Sequence, residues 1–199
     1  MDAGSYCEDE ISAEYYGGIL ASSRSEDSKD DRGVPLIDLL KSLSTYQIRT
    51  HYIFYSLIRR VYLDSPHEIN ISSDRMGVFI PNIVYKNAMN IPPDDNKGII
   101  ASHSIIGLFQ KGLISEKYFS GNVEYLKSRI LSKQLQDLIT CPGIIFFPTH
   151  IGIYLFLWAN GISNQRERFI TSRNFDFKPL KDVIITDYPR TQPIYQSEE

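Results

Sequence analysis

The stretch that most constrains the fold is residues 44–62, where the pattern predicts a long helix with apolar side chains on almost every side. Ser44 or Thr45 is a typical N-cap for it. Its polar stripe is narrow and consists of Arg49, Ser56 and Arg60. A helix that is apolar nearly all round is stable only when other elements surround it, so we predict that this is the central core helix. Two rows at helical spacing carry the pattern: Ile48, Tyr52 and Tyr55, and Phe54, Ile58 and Val61.

The rest of the chain is long enough to build such a surrounding core. It has 199 residues, of which 42% are hydrophobic, and this excludes a disordered or collagen-like protein. We expect a mainly α protein with a small β element: one mainly helical domain over residues 1–172, followed by an extended arm over 173–199. Gly17 and Gly18 interrupt the first predicted helix, so we expect a close packing contact or a kink there.

In the C-terminal half of the chain, a predicted helix passes directly into a predicted strand. The helix predicted over Lys97–Lys111 ends at Gly112, and Leu113–Ser115 reads as the start of a strand. A second strand at Ile144–Phe147 and a helix capped by Thr149 follow. This order is similar to that of a winged-helix domain, so we predict a winged-helix-like arrangement over about residues 97–162.

In a winged-helix domain the helix before the strand is the one that can enter a DNA major groove. The residues that we expect to face solvent there are His103, Gly107, Gln110 and Lys111, and Lys117 follows shortly after. We therefore take His103, Gln110, Lys111 and Lys117 as nucleic-acid candidates. Only one of the four helix positions is a permanent cation, which favours a protein-binding use of the fold over DNA binding.

Charge is distributed unevenly along the chain. Residues 1–38 contain ten acidic and three basic residues, a net charge of −7, whereas the remaining residues contain 14 acidic and 18 basic ones, a net charge of +4. The total of −3 excludes a global attraction to nucleic acid or anionic membranes as the main driver of function. We expect the acidic head to be mostly a solvated helix face and loop.

A polar cluster within this head is the candidate ligand or partner site. Asp30, Asp31 and Arg32 lie just before a predicted helix, and Arg24 precedes them. An arginine near a helix start can position a phosphate or a partner carboxylate. The alternative is an ordinary surface ion pair in a loop.

Other sites and locations find little support in the sequence. The four histidines occur singly, so we predict no metal site, and no motif indicates a cofactor or a catalytic residue. Residues 143–162 are mostly apolar, but Pro148 and His150 interrupt the run, and we predict a buried strand and helix with no membrane span. Two widely spaced cysteines and the lack of a signal-peptide pattern favour a cytoplasmic protein.

Several segments resemble the bacterial abortive-infection alpha (Abi-alpha) family. The similar segments are residues 15–25, the loop Asp30–Gly33, residues 36–47, the Gly112–Ile114 turn and residues 147–152. The resemblance covers about residues 10–160 and implies a bacterial origin and a link to phage defence. It implies no reaction.

Three functional hypotheses follow. The first is a non-enzymatic interaction module of phage defence that acts through self-association or a protein partner. The second is a winged-helix regulator that binds DNA through the Lys97–Lys111 helix. The third is a nucleotide- or phosphate-sensing, enzyme-like protein centred on Arg24, Asp30, Asp31 and Arg32.

Overall fold

The structure is a computed structural model, and it describes residues 10–23, 31–63, 76–92, 96–130, 133–181, 183–185 and 192–195. Over these ranges the protein is mainly helical with a small antiparallel sheet, which confirms the predicted fold class at this level. The helices are α1 (Glu10–Ser22), α2 (Gly33–Lys41), α3 (Thr45–Tyr62), α4 (Asn82–Ala88), α5 (Lys97–Gln110), α6 (Val123–Ser128), α7 (Lys133–Leu138) and α8 (His150–Ala159). The strands are β1 (Met76–Pro81), β2 (Phe119–Gly121), β3 (Gly143–Phe146) and β4 (Gln192–Tyr195), and a 3-10 helix spans Glu167–Thr171.

Helix α3 is the central core helix, as predicted. Every residue from Ile48 to Arg59 is buried, including the polar ones. The helix begins with a capping box, in which the Ser44 hydroxyl accepts a hydrogen bond from the Gln47 amide and the Gln47 side chain accepts one from the Ser44 amide. Helices α1, α5 and α8 pack around it. These three helices cover the apolar side chains that α3 carries in nearly every direction.

The contact predicted at Gly17–Gly18 is confirmed as close packing between α1 and α8. A side chain at Gly18 would clash with the backbone carbonyl of Ala159, whereas one at Gly17 would meet nothing. On the same helix Ile11, Tyr15 and Ile19 are buried, whereas Leu20 is half exposed.

The sheet has the order β2-β3-β1-β4 with every neighbouring pair antiparallel. Its central pairing places Val78 opposite Phe146 and Pro81 opposite Gly143. The predicted strand at Ile144–Phe147 is confirmed as β3. The strand predicted at Leu113–Ser115 is only an isolated bridge between Ile114 and Pro148. The reason is that the chain pairs there for only one residue pair, with Pro148 just after the end of β3, and then turns before β2.

The predicted C-terminal arm packs closely against α3. After the 3-10 helix the described residues up to Ile185 form no helix or strand, yet Phe175 and Val183 are buried in the main core. The amide of Leu180 donates a 2.7 Å hydrogen bond to the Tyr52 hydroxyl. A side-chain acceptor on α3 therefore satisfies a backbone amide that a neighbouring strand would otherwise pair.

Candidate interaction surface

The face of α5 that points away from the core is the clearest candidate functional surface. Asn96 caps the start of the helix, and Gly112, with a φ of 68°, turns the chain at its end. Its inner face packs on α3 through Ala101, Ile105 and Leu108, as predicted. These contacts fix the direction of the opposite face.

That opposite face carries exposed apolar side chains. Ile99, Ile106 and Phe109 are 52%, 40% and 38% exposed. The Phe109 ring lies 5.9 Å from the ring of Tyr118, which extends the apolar surface beyond the helix. A group of large apolar side chains left in water on one helix face is typical of a protein-binding surface.

Basic residues border this face, which we call the α5 face (Ile99, Ser102, Ile106 and Phe109). Lys97 at the helix start, Lys111 at its end and Lys117 beside Tyr118 are all exposed. Within the described part of the chain, Lys97 and Lys111 form no ion pair. Lys117 has an additional interaction. The α5 face is thus apolar, and exposed lysines lie at both ends of its helix.

The four nucleic-acid candidates lie on or next to the same face. His103, Gln110, Lys111 and Lys117 are all exposed. The prediction that Gly107 faces solvent is wrong, because Gly107 is buried and a side chain there would clash with Gln47 on α3. Helical periodicity alone missed this because glycine gives no apolar signal on the side of a helix that packs closely.

The structure places Arg32 beside Trp158 of α8 and Asn164 in the loop that follows it. Its guanidinium donates a 3.1 Å hydrogen bond to Asn164 Oδ1 and lies 5.8 Å from the ring of Trp158. Arg32 therefore ties the start of α2 to α8 and the loop that follows it. Asp31 is exposed. Arg24 and Asp30 lie outside the described residues, so the phosphate-sensing hypothesis stays a prediction.

A polar network inside the core explains one histidine that the sequence left without a role. His51 is fully buried, and its Nε2 lies 3.0 Å from the Gly152 carbonyl, which can only accept. Nε2 must then carry the proton, and Nδ1 accepts from the Tyr15 hydroxyl at 2.8 Å.

Burial lowers the pKa of His51 to about 3, so it is neutral at physiological pH. Both of its ring nitrogens are used inside the protein, which indicates a structural role. Only the tertiary structure shows this pairing, because Tyr15, His51 and Gly152 lie on three different helices.

Two further observations concern metal binding and membrane spans. In the described ranges no three His, Cys, Asp or Glu side chains lie close enough to hold a metal ion. None of the helices within those ranges is long and apolar enough to span a membrane.

Comparisons with protein-family models, with curated proteins and with solved structures find no match to this chain.

Proposed function

We propose that this protein is a non-enzymatic interaction module that assembles with a second copy of itself through the α5 face. The observation that carries the proposal is the exposure of Ile99, Ile106 and Phe109 on one side of a helix whose other side is packed in the core. Water contact with these side chains is unfavourable, at roughly 25 cal/mol per Å² of apolar surface. A protein surface that covers them gains this free energy.

The spacing on the α5 face favours a helix as the covering element. Ile99, Ser102, Ile106 and Phe109 are separated by three, four and three residues. This is the spacing of the contact positions on a helix that packs lengthwise along another helix. Ser102 leaves a shallow point in the row, where a larger side chain of the partner fits.

Charge favours a second copy of the chain, and α1 in particular, as the source of that helix. The outward residues Glu10, Ala13 and Leu20 of α1 are exposed, and Glu14 lies beside them. This face combines carboxylates at one end with an exposed leucine, 51% accessible, at the other. Its carboxylates can meet a lysine at one end of α5 while its leucine meets the apolar side chains of the α5 face.

The first experiment measures the molar mass in solution over a wide protein concentration range by sedimentation equilibrium. We expect a concentration-dependent dimer that Ile106→Asp weakens by about tenfold or more, because a buried charge replaces an apolar contact. The matched control is Val34→Asp, which alters an exposed apolar residue on α2 and should leave the dimer unchanged. A wild-type protein that stays monomeric at all concentrations, or equal effects of the two variants, contradicts the proposal.

The second experiment tests the choice of α1 by charge exchange. Lys111→Glu should weaken the dimer, and adding Glu14→Lys should restore part of the affinity because the pair is reversed. If Lys97 is the true neighbour of Glu14, the same rescue will appear with Lys97→Glu. Rescue of neither variant rules out α1 as the covering helix.

DNA binding is the second candidate function, favoured by the exposure of His103, Gln110, Lys111 and Lys117 around one helix. In that case residues 97–162 would act as a winged helix, with α5 as the recognition helix. Binding to duplex DNA should then weaken steeply with salt and fall on Lys111→Glu. A protein that shows no binding at low salt does not have this function.

We further propose a role in bacterial phage defence, which the resemblance to the Abi-alpha family supports. The test is the plaquing efficiency of a phage panel on bacteria that express the wild-type chain or the Ile106→Asp variant. Protection that requires Ile106 would link defence to the α5 face, and a lack of protection against every phage counts against the role.

A further inference from the structure

The face of α3 that meets the C-terminal segment encloses a cavity of about 370 Å³. Tyr52, Ser56, Arg59 and Arg60 line it from the helix, at positions that share one helical face. Its volume is within the range of about 300–1,000 Å³ that is typical of small-molecule pockets. The described residues that complete its wall are apolar: Leu63, Phe177, Pro179, Val183 and Ile185.

Ser56 is the polar group in this cavity that the protein leaves unused. Ser56 is only 7% exposed, and its hydroxyl has no hydrogen-bond partner among the residues that the structure describes. Serine hydroxyls inside helices usually donate to a carbonyl one turn earlier, as Ser104 does to Ile100. A buried hydroxyl without a partner is unfavourable, and it is satisfied when a ligand supplies an acceptor.

Arg59 provides a buried positive charge next to this hydroxyl. Its guanidinium donates to the carbonyls of Ile170, Ser172 and Phe175 at 2.6, 3.0 and 2.8 Å. These bonds hold the C-terminal segment in place and use three of the five N–H groups that an arginine has. Among the described residues no carboxylate pairs with Arg59, so its charge is hydrogen-bonded but not neutralised.

Arg60 adds a second cation at the rim. It is exposed, and its guanidinium lies 3.5 Å from the Ile185 carbonyl across the cavity. The described residues that line the cavity include no acidic side chain. The positive potential of both arginines therefore acts on whatever occupies the space.

We propose that this cavity binds a small amphipathic carboxylate, with the carboxylate accepting from Ser56 and held by the charge of Arg59 and Arg60. The apolar or aromatic body of the ligand then packs against Phe177, Val183 and Ile185. A carboxylate matches the planar guanidinium, and one such anion supplies the acceptor that Ser56 lacks. This site lies on α3 and is independent of the α5 face.

The test uses sodium 4-phenylbutyrate as the probe and measures its affinity by isothermal titration calorimetry. Its neutral counterpart 4-phenylbutan-1-ol should bind at least about tenfold more weakly because it loses the charge-assisted contacts. Acetate, which lacks the apolar body, should bind more weakly still. No binding of phenylbutyrate at millimolar concentration, or equal binding of the alcohol, overturns the proposal. Tighter binding of phenyl phosphate overturns the assignment of a carboxylate.

Ser56→Ala locates the site without disturbing the fold, because the hydroxyl has no partner to lose. We expect about fivefold weaker binding of phenylbutyrate, unchanged binding of the alcohol, and a urea midpoint equal to or above that of the wild type. Ser104→Ala is the matched control and should leave both affinities unchanged. Ser56→Leu, which fills the cavity, should remove binding of both probes in a protein that still unfolds cooperatively. Wild-type affinity in both Ser56 variants shows that the probe binds elsewhere and contradicts the site.

Discussion

Helices α3 and α5 depart from the usual amphipathic pattern in opposite directions. Helix α3 buries polar side chains, among them Thr50, His51 and Arg59, on a helix that has almost no exposed side. Helix α5 does the reverse, since it has a proper core face but exposes Ile99, Ile106 and Phe109 on its outer side.

The difference lies in where the partners of these side chains are found. The Thr50 hydroxyl donates to the Tyr46 carbonyl at 2.8 Å, and His51 and Arg59 are likewise bonded within the chain. Their burial is therefore compatible with a stable fold. The apolar side chains on the α5 face have no such cover within the described part of the chain. The polarity of these three side chains is satisfied within the chain, whereas the exposed apolar side chains of α5 are the basis of the proposed contact with a second copy.

The largest effect that we expect is on α3. Replacing Arg59 by Met leaves the carbonyls of Ile170, Ser172 and Phe175 without their donor, and it should lower the free energy of unfolding by about 3–5 kcal/mol. Urea denaturation measures this change. Arg60→Met is the matched control on the same helix, where the side chain is exposed, and it should cost under about 1 kcal/mol. Equal costs would show that the three bonds of Arg59 do not hold the C-terminal segment.

A second prediction uses the buried histidine of α3. The pKa of His51 is about 3 in the folded protein and 6.5 as the ordinary value, so the unfolded chain binds the additional proton between these two pH values. The stability that a neutral His51 permits is complete above the ordinary pKa. It falls as the pH decreases toward 3, with a slope of up to about 1.4 kcal/mol per pH unit.

This slope can be separated from that of the carboxylates by comparison with His51→Gln, in which the titration is absent. We expect a flatter dependence of the unfolding free energy on pH in that variant. His103→Gln, at an exposed position of α5, should keep the wild-type slope. Parallel curves for wild type and His51→Gln would mean that His51 titrates normally.

The smallest effect that we expect is that of Ile106→Ala on α5, and its neighbour Ile105 provides the contrast. Ile105 is 4% exposed and faces α3, whereas Ile106 belongs to the α5 face. Ile105→Ala should therefore cost about 2–5 kcal/mol through the cavity it leaves, and Ile106→Ala under about 1 kcal/mol. Measuring both at a protein concentration below dimer formation isolates the fold from assembly. A large cost for Ile106→Ala in that monomer would show that the α5 face is covered from within the chain.

Much of the fold could be predicted from local patterns. The caps at Ser44 and Thr149 and the turn at Gly112 are visible as single residues beside apolar runs, and all three are confirmed. The short strands were harder to predict from the sequence. Strand β2, which has three residues, carries no alternation that distinguishes it from a loop.

The candidate surfaces were only partly predictable. The sequence identified α5 and its exposed polar residues, but it also placed Gly107 in solvent and did not single out Ile99, Ile106 and Phe109. A helix that exposes apolar side chains on one face can have the same sequence pattern as a helix that buries apolar side chains on two faces. Ser56 was visible only as part of a polar stripe, and nothing local indicates that its hydroxyl lacks a partner.

The sequence by itself determined that a helix over residues 44–62 must form the core, because side chains that are apolar in every direction can be buried only by surrounding elements. It also determined the starts of α3 and α8 and the end of α5, because caps and glycine turns act on the nearest few residues. Only the tertiary structure decided which polar side chains are satisfied and which apolar ones remain exposed. Those properties depend on partners far away in the chain, such as Phe175 for Arg59, and no local pattern records where such a partner will lie.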